Sequence, residues 1–410
     1  MRPSPEEIST ANLAARNYGG SSSNHDAQIS FSSIPQKQKI LWGTIMTCMG
    51  LVKNYPQLVV CRVLLGIAEA GLFPGVVYYL TLWYPRHKLQ FRMGLFTGSA
   101  SLAGAFSGLL AFGISYMSGT QGLLGWSWIF ILEGIATVAV GIVAFFVLVD
   151  FPDTAKFLTA EERAYVLWRK KYDNSTVGEE ESFSVKYIIQ ALTDWQLYHI
   201  EVSSPTFSIA LFVQSIHFPS FGHSPAISNL LTVPPYVLST TVVYIFAHFS
   251  DKFKKRSPFI YASLIFCLIG FSIIITDAPQ GVKYFGTFLC ATGAYAGGPG
   301  AISWLGNNLS GQYKRAVGMG VQISISGMSG VIISNIYRDV DKPRYILGHA
   351  IELVLVGVGL IVVPIVTVTY YRLNSVKKAT IRKEEEQGVK KSPEEIRAMG
   401  DRAPEFIYTL

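Results

Sequence analysis

The sequence predicts an all-α polytopic membrane protein. Three observations support this: long stretches free of ionisable side chains, short polar segments that separate them, and a one-sided distribution of the basic residues. Half of the 410 residues are apolar and only 15% are charged, a balance that suits lipid better than a soluble core. A helix needs roughly 20 mostly apolar residues to cross the hydrocarbon layer. Candidate runs lie near 39–53, 57–83, 93–116, 127–149, 226–248, 258–276, 283–306, 316–336 and 347–371, and a weaker run near 200–217 completes ten.

The placement of the 34 basic residues fixes an orientation. With the N-terminus in the cytosol, only Lys53, Lys283, Arg338, Lys342 and Arg344 fall in outer loops, and Arg62 lies inside an apolar run. All other Lys and Arg sit in segments 1–39, 86–92, 151–199, 251–256, 314–315 and 372–402, the positive-inside pattern with both termini cytosolic. The net charge of +7 is therefore a topology signal. No basic stretch is interleaved with aromatics on a soluble domain, so nucleic acid is not an expected partner. Cys48, Cys61, Cys267 and Cys290 fall in apolar runs without close spacing and read as small core residues rather than a disulfide or metal framework. The acceptor pattern at Asn174-Ser-Thr is placed in the cytosol, away from glycosylation. Residues 1–36 are polar and carry no signal-peptide core.

The chain divides by composition. Residues 1–37 read as a polar cytosolic segment, 38–150 as an N-terminal helical bundle, 151–199 as a charged cytosolic linker, 200–371 as a C-terminal bundle and 372–410 as a cytosolic tail. Within the linker, Thr159 followed by Glu162 is a capping-box signal for a short amphipathic helix. The halves also echo one another. Arg92-Met-Gly94, Ser107-Gly108 and Ile114-Ser-Tyr116 recur about 222 residues later as Arg315-Ala-Val-Gly318, Ser329-Gly330 and Ile336-Tyr337. These are spans three and nine, so the repeat is six helices and the upstream half is expected to lack its first two.

The most informative stretch is Cys61-Arg62-Val-Leu-Leu-Gly66-Ile-Ala-Glu69-Ala-Gly71-Leu-Phe73-Pro74-Gly75. At helical spacing Arg62, Gly66, Glu69 and Phe73 share one face. A charge at membrane depth costs at least about 2.5 kcal/mol, so Arg62 and Glu69 are expected to face a wet cavity or a partner. Seven residues span about 10 Å of rise, too far for a simple ion pair. Desolvation there favours the protonated form of Glu69, which suits a group that takes and releases a proton. The alternative is a pair of charges satisfied by neighbouring helices for packing alone. Pro74 removes a backbone donor, and with Gly71 and Gly75 it is expected to bend or loosen the helix.

Two further motifs stand out. Ser250-Asp251-Lys252-Phe-Lys254-Lys255-Arg256 links two spans, with Asp251 placed to cap a helix end and Lys252 and Arg256 to anchor the loop. It reads either as plain anchoring or as a conformational latch. Gly293-Ala-Tyr-Ala-Gly297-Gly298-Pro299-Gly300 permits close helix contact, and Asn307 and Asn308 follow as polar groups able to bond a ligand. Glu133, Glu201 and Glu352 also fall in or beside apolar runs. Glu201 and Glu352 sit near expected ends, within reach of water, which leaves Glu133 as a second candidate. His217, His223 and His349 are placed at the outer edge. No cofactor site, metal cluster, phosphate loop or nucleophile motif is present in the sequence, so the chain is not expected to be an enzyme.

Taken together, Arg62-x3-Gly66-x2-Glu69-Ala-Gly71-x-Phe-Pro74-Gly75, Trp83-Tyr-Pro and Arg92-x3-Phe96 resemble the major facilitator superfamily. Leu124-Gly-Trp-Ser-Trp-Ile-Phe-x2-Glu133-Gly, Phe151-Pro-Asp-Thr-Ala-Lys-Phe-Leu-Thr, Leu231-Thr-Val-Pro-Pro-Tyr, Gly306-Asn-Asn-Leu, Lys314-Arg-Ala-Val-Gly, Ser334-Asn-Ile-Tyr-Arg and Gly400-Asp-Arg-Ala-Pro-Glu-Phe resemble its fungal anion:cation symporter branch, which includes allantoate, nicotinate and vitamin permeases. The resemblance runs from about residue 40 to the C-terminus. It implies a two-bundle fold with about ten of the usual twelve helices present. It implies a monomer in the plasma membrane that imports a small organic anion with protons by alternating access. Arg62 and Glu69 take the family's substrate and proton roles, and Phe73, Asn307 and Asn308 are candidate substrate contacts. The family's first two helices have no counterpart in 1–36, and the segment around Glu201-Val-Ser-Ser-Pro205 is shorter than its seventh helix. A truncated non-transporting paralogue or sensor, or an exporter of lipophilic compounds, is the alternative.

Overall fold

The computed structural model describes residues 34–84, 88–147, 155, 157–173, 185–201, 207, 225–341, 344–388, 391–392, 395–396 and 399–410. The run near 200–217 lies mostly outside them, as do His217, His223 and Asn174. Among the described residues the regular elements are helices, with no strand. They are α1 (Ile34–Met49), α2 (Tyr55–Glu69), α3 (Leu72–Trp83), α4 (Leu89–Ser115), α5 (Gly125–Val147), α6 (Ala160–Asp173), α7 (Val185–Leu192), α8 (Trp195–Glu201), α9 (Pro225–Leu231), α10 (Val233–Phe253), α11 (Ser257–Ile274), α12 (Gln280–Asn308), α13 (Gln312–Ile336) and α14 (Ile346–Glu386). The described residues form two compact units, one of 34–84 with 113–147 and those from 155 to 173, the other of 88–112 with those from 185 to 410.

In the first unit α1 packs along α5 and against α2. Large apolar side chains of α5, among them Val143, Phe146 and Val147, are exposed, as expected of a helix whose outer face meets lipid. Pro56 opens α2 from its first turn, where the missing N–H costs nothing. α2 and α3 are separated at Ala70–Gly71, the place where Pro74 supplies no N–H to the carbonyl of Ala70. Both residues keep right-handed helical dihedrals, so the helix is loosened there rather than turned. α6 starts with a reciprocal capping box. The Thr159 amide donates to Glu162 Oε2 at 3.0 Å, and the Glu162 amide donates to Thr159 Oγ1 at 3.2 Å.

The second unit is built around α12, which packs on α10 and, most extensively, on α11. α12 is buried along most of its length, including Cys290, Ala294, Ala301 and Trp304, and it carries Pro299 inside the helix. Its small residues therefore serve contact with protein rather than with lipid. α14 packs on α11. By length and composition four helices among the described residues can cross a membrane: Leu89–Ile114, Gly125–Val147, Ser257–Ile274 and Ile346–Glu386. The last continues well beyond its apolar part, so the segment expected as a tail begins as helix and runs to Glu386.

The α11–α12 contact depends on Gly293. A Cβ at this position would lie 2.5 Å from both the Ser263 carbonyl oxygen and Cys267 Sγ. The backbone oxygen cannot swing aside. Gly293→Val is expected to cost about 1–3 kcal/mol by overpacking, read as a lower thermal midpoint of the purified protein. Gly298→Ala, on the same helix with nothing within 4 Å of its new Cβ, is expected to leave the midpoint unchanged or raised.

Candidate functional site

Arg62 and Glu69 lie seven residues apart on one unbroken helix, α2, and both side chains are exposed. Arg62 Cζ rests 5.5 Å from the centroid of the Phe130 ring on α5, a cation–π contact that holds the guanidinium without neutralising it. Glu69 is the last residue of α2, against the loosened Ala70–Gly71 step. Phe73 is half-buried in the first turn of α3, past that interruption. The shared stripe thus spans two helical segments rather than one. Glu133 is half-buried on α5.

The second cluster lies at the end of the second unit where α10 gives way to α11. Lys254 takes a left-handed conformation, φ 54°, and reverses the chain. The Arg256 side chain is then fully buried, with Nη1 donating to Asp251 Oδ1 at 2.5 Å and to Ser250 Oγ at 3.0 Å. Burial pulls the guanidinium below its usual range, and the charge of Asp251 opposes that pull. The other Asp251 oxygen, Oδ2, accepts the Phe91 amide at 2.8 Å. That amide belongs to the first turn of α4, where N–H groups lack helical partners and attract an anion. Ser250 Oγ lies 2.7 Å from Gln90 Oε1 on the same turn. One carboxylate therefore joins α4, α10 and α11. Lys252 is exposed and lies over the Phe249 ring at 5.9 Å.

The chain's last residues meet this cluster. The Arg256 amide donates to the Leu410 carbonyl, and Thr409 O accepts from Trp304 Nε1 at 2.9 Å. Asn308 grips the same residue twice: Nδ2 donates to Thr409 O at 3.0 Å, and Oδ1 accepts the Thr409 amide at 2.7 Å. Both polar atoms of the Asn308 side-chain amide thus bond the backbone of Thr409. Asn307 is buried beside it. Asn374 on α14 forms the equivalent pair with Tyr408, both bonds 2.8 Å. Lys377 Nζ donates to the carbonyls of Asp401, Ala403 and Phe406 and sits 4.2 Å from the Tyr408 ring centroid. Asp401 accepts from Lys314 at 2.7 Å and from Gln196 at 3.0 Å, and Lys314 also pairs with Asp194 at 2.6 Å.

Sequence reasoning missed this strap. Its one local signal was the motif Gly400-Asp-Arg-Ala-Pro-Glu-Phe, whose Asp401, Ala403 and Phe406 prove to be buried. It also missed the burial of two residues of α14. Glu352, expected within reach of water, is fully buried; His349, read at the outer edge, lies in the first turn of α14 and is buried as well.

The sequence profile of the Major Facilitator Superfamily matches residues 40–334. The high-affinity nicotinic acid transporter of Saccharomyces cerevisiae is 32% identical over 385 residues, covering 90% of this chain and 70% of that protein. The major facilitator-type transporter hxnP of Emericella nidulans is 30% identical over 397 residues, 94% of this chain and 79% of its own. Among solved structures, the proton:xylose symporter XylE bound to 6-bromo-6-deoxy-D-glucose superposes with a TM-score of 0.62 at 15% identity, covering 87% of this chain and 83% of that one. The E. coli fucose:proton symporter FucP gives 0.59 at 14%, covering 88% and 86%. At those identities the structural likeness speaks for the fold alone.

Asp251→Asn removes the countercharge from a fully buried Arg256. It is expected to destabilise the purified protein by about 3–5 kcal/mol, as breaking a buried pair does. Lys252→Ala should stay within about 0.5 kcal/mol, as exposed substitutions do. Thermal melts of both variants check the contrast.

Proposed function

The chain belongs to the Major Facilitator Superfamily, a family of membrane transporters and not of enzymes, and on that premise we propose that it imports a small organic anion by proton symport and alternating access. The substrate class is a nicotinate-, allantoate- or vitamin-like carboxylate. One observation carries the proposal: a relative 32% identical across 90% of this chain is a nicotinic acid transporter. The placement of Arg62 and Glu69 on one helix supports it.

In this mechanism the Arg62 guanidinium, resting on Phe130, is the fixed positive partner of the substrate carboxylate. Keeping such a cation at membrane depth is costly unless it has work to do. Glu69, about 10 Å further along the helix, takes up the proton, so substrate and proton occupy neighbouring sites without neutralising one another directly. The loosened step at Ala70–Gly71 lets the helix adjust beside Glu69, and Phe73 and Asn307 are the further proposed contacts. The basic segments face the cytosol, in the plasma membrane, and the protein acts as a monomer. There the Asp251–Arg256 pair, bonded to the start of α4, acts as a latch that biases the exchange between conformations.

Uptake of labelled nicotinate and allantoate is to be compared at acidic and neutral external pH in cells expressing the chain or Glu69→Gln. The expected result is acid-stimulated uptake of one of the two in the parent, with the stimulation lost in Glu69→Gln. Full acid stimulation in Glu69→Gln would remove Glu69 from the coupling site.

A further inference from the structure

Glu352 lies on α14, six residues from its start, roughly 9 Å along the axis. It is 0% exposed, and neither carboxyl oxygen has a hydrogen-bond partner among the described residues. Titratable groups from several neighbouring segments lie around it. α11 supplies Cys267, α12 supplies Cys290 and the end of α13 supplies Tyr337, all three near enough to feel a charge on Glu352. α14 itself supplies His349, one turn back and on the same face. His349 is also fully buried, with Nδ1 sharing a hydrogen bond of 3.1 Å with Tyr337 Oη and its ring 6.0 Å from that of Phe271. Two thiols, a phenol and an imidazole are the titratable groups named around it among the described residues, and none of these is a fixed cation.

An ionised carboxylate without a countercharge or donors is very costly to bury, whereas its neutral acid is tolerated. A glutamate inside a membrane-crossing helix is in any case an expensive choice for packing alone. We propose that Glu352 is a proton-binding site of the second unit, separate from Glu69, with the His349–Tyr337 pair as its relay. In the conformation described the carboxyl holds its proton. When the site opens to water, the O–H bond breaks, the proton passes to the imidazole or to entering water, and the carboxylate left behind is hydrated. This rests on the proton-symport reading and adds to it a second titrating group, on the other unit from Glu69.

The test is infrared difference spectroscopy on the purified chain in lipid, following the carbonyl stretch of a protonated carboxylic acid as the pH is raised from neutral. The parent is expected to show such a band at neutral pH and to lose it with rising pH. Glu352→Gln should lack the band, and Glu69→Gln should keep it. If Glu352→Gln does not fold, Glu352→Asp keeps the acid and should move the band. A spectrum unchanged by substitution at 352, or a band that ignores pH, would overturn the proposal. The readout needs no transported substrate, so it holds or fails independently of the uptake experiment.

Discussion

Among the described residues three cations are buried in the second unit: Arg256, fully, and Lys314 and Lys377, each 8% exposed. Taking an ammonium or guanidinium out of water costs several kcal/mol unless charge and hydrogen bonds replace the water. Their compensation comes from an adjacent loop for one and from more distant segments for the other two. Asp251 meets Arg256, Asp194 and Asp401 meet Lys314, and three tail carbonyls meet Lys377. Satisfying these charges forces the ends of α8, α10, α11, α12, α13 and α14 to converge on the last residues of the chain. Without that convergence each cation would be stranded, so the strap is the condition on which this end of the fold rests.

The same constraint sets the mechanical character of the unit. Asp251 also bonds the first turn of α4, so a helix start, a helix end and a reversed loop share one carboxylate. A joint of that kind has few intermediate positions. Breaking it would cost all of its bonds together, and such discrete contacts are the kind from which two-state elements are built. The first unit is different. Arg62 and Glu69 sit on an exposed face of a helix that is loosened one residue later.

Local chemistry was legible in the sequence. The α6 cap follows from Thr159 and Glu162, the α2–α3 break from Pro74 and the α11–α12 approach from Gly293, because each is decided within a few residues or by the absence of a side chain. What failed to show was decided by partners distant in the chain. Asn308 reads as a free amide until Thr409, 101 residues on, occupies it. Lys252 and Arg256 look alike in a basic loop, yet the left-handed turn at Lys254 buries one and leaves the other exposed. Glu352 stands near the end of an apolar run, where water is the natural assumption, and only the neighbouring helices reveal that it is enclosed. The polar composition of 372–410 hides the burial of its final residues, for which the motif beginning at Gly400 is the one local signal.

The most direct measurement is hydrogen–deuterium exchange of the purified protein, comparing the C-terminal peptide containing Tyr408 and Thr409 with peptides from α11. If the strap holds the buried charges as described, the Tyr408 and Thr409 amides, bonded to Asn374 and Asn308, will exchange as slowly as the core of that helix. Exchange at the rate of an open chain would contradict the account, since a tail that samples solvent freely cannot supply the Asp401 carboxylate to Lys314 and the three carbonyls to Lys377.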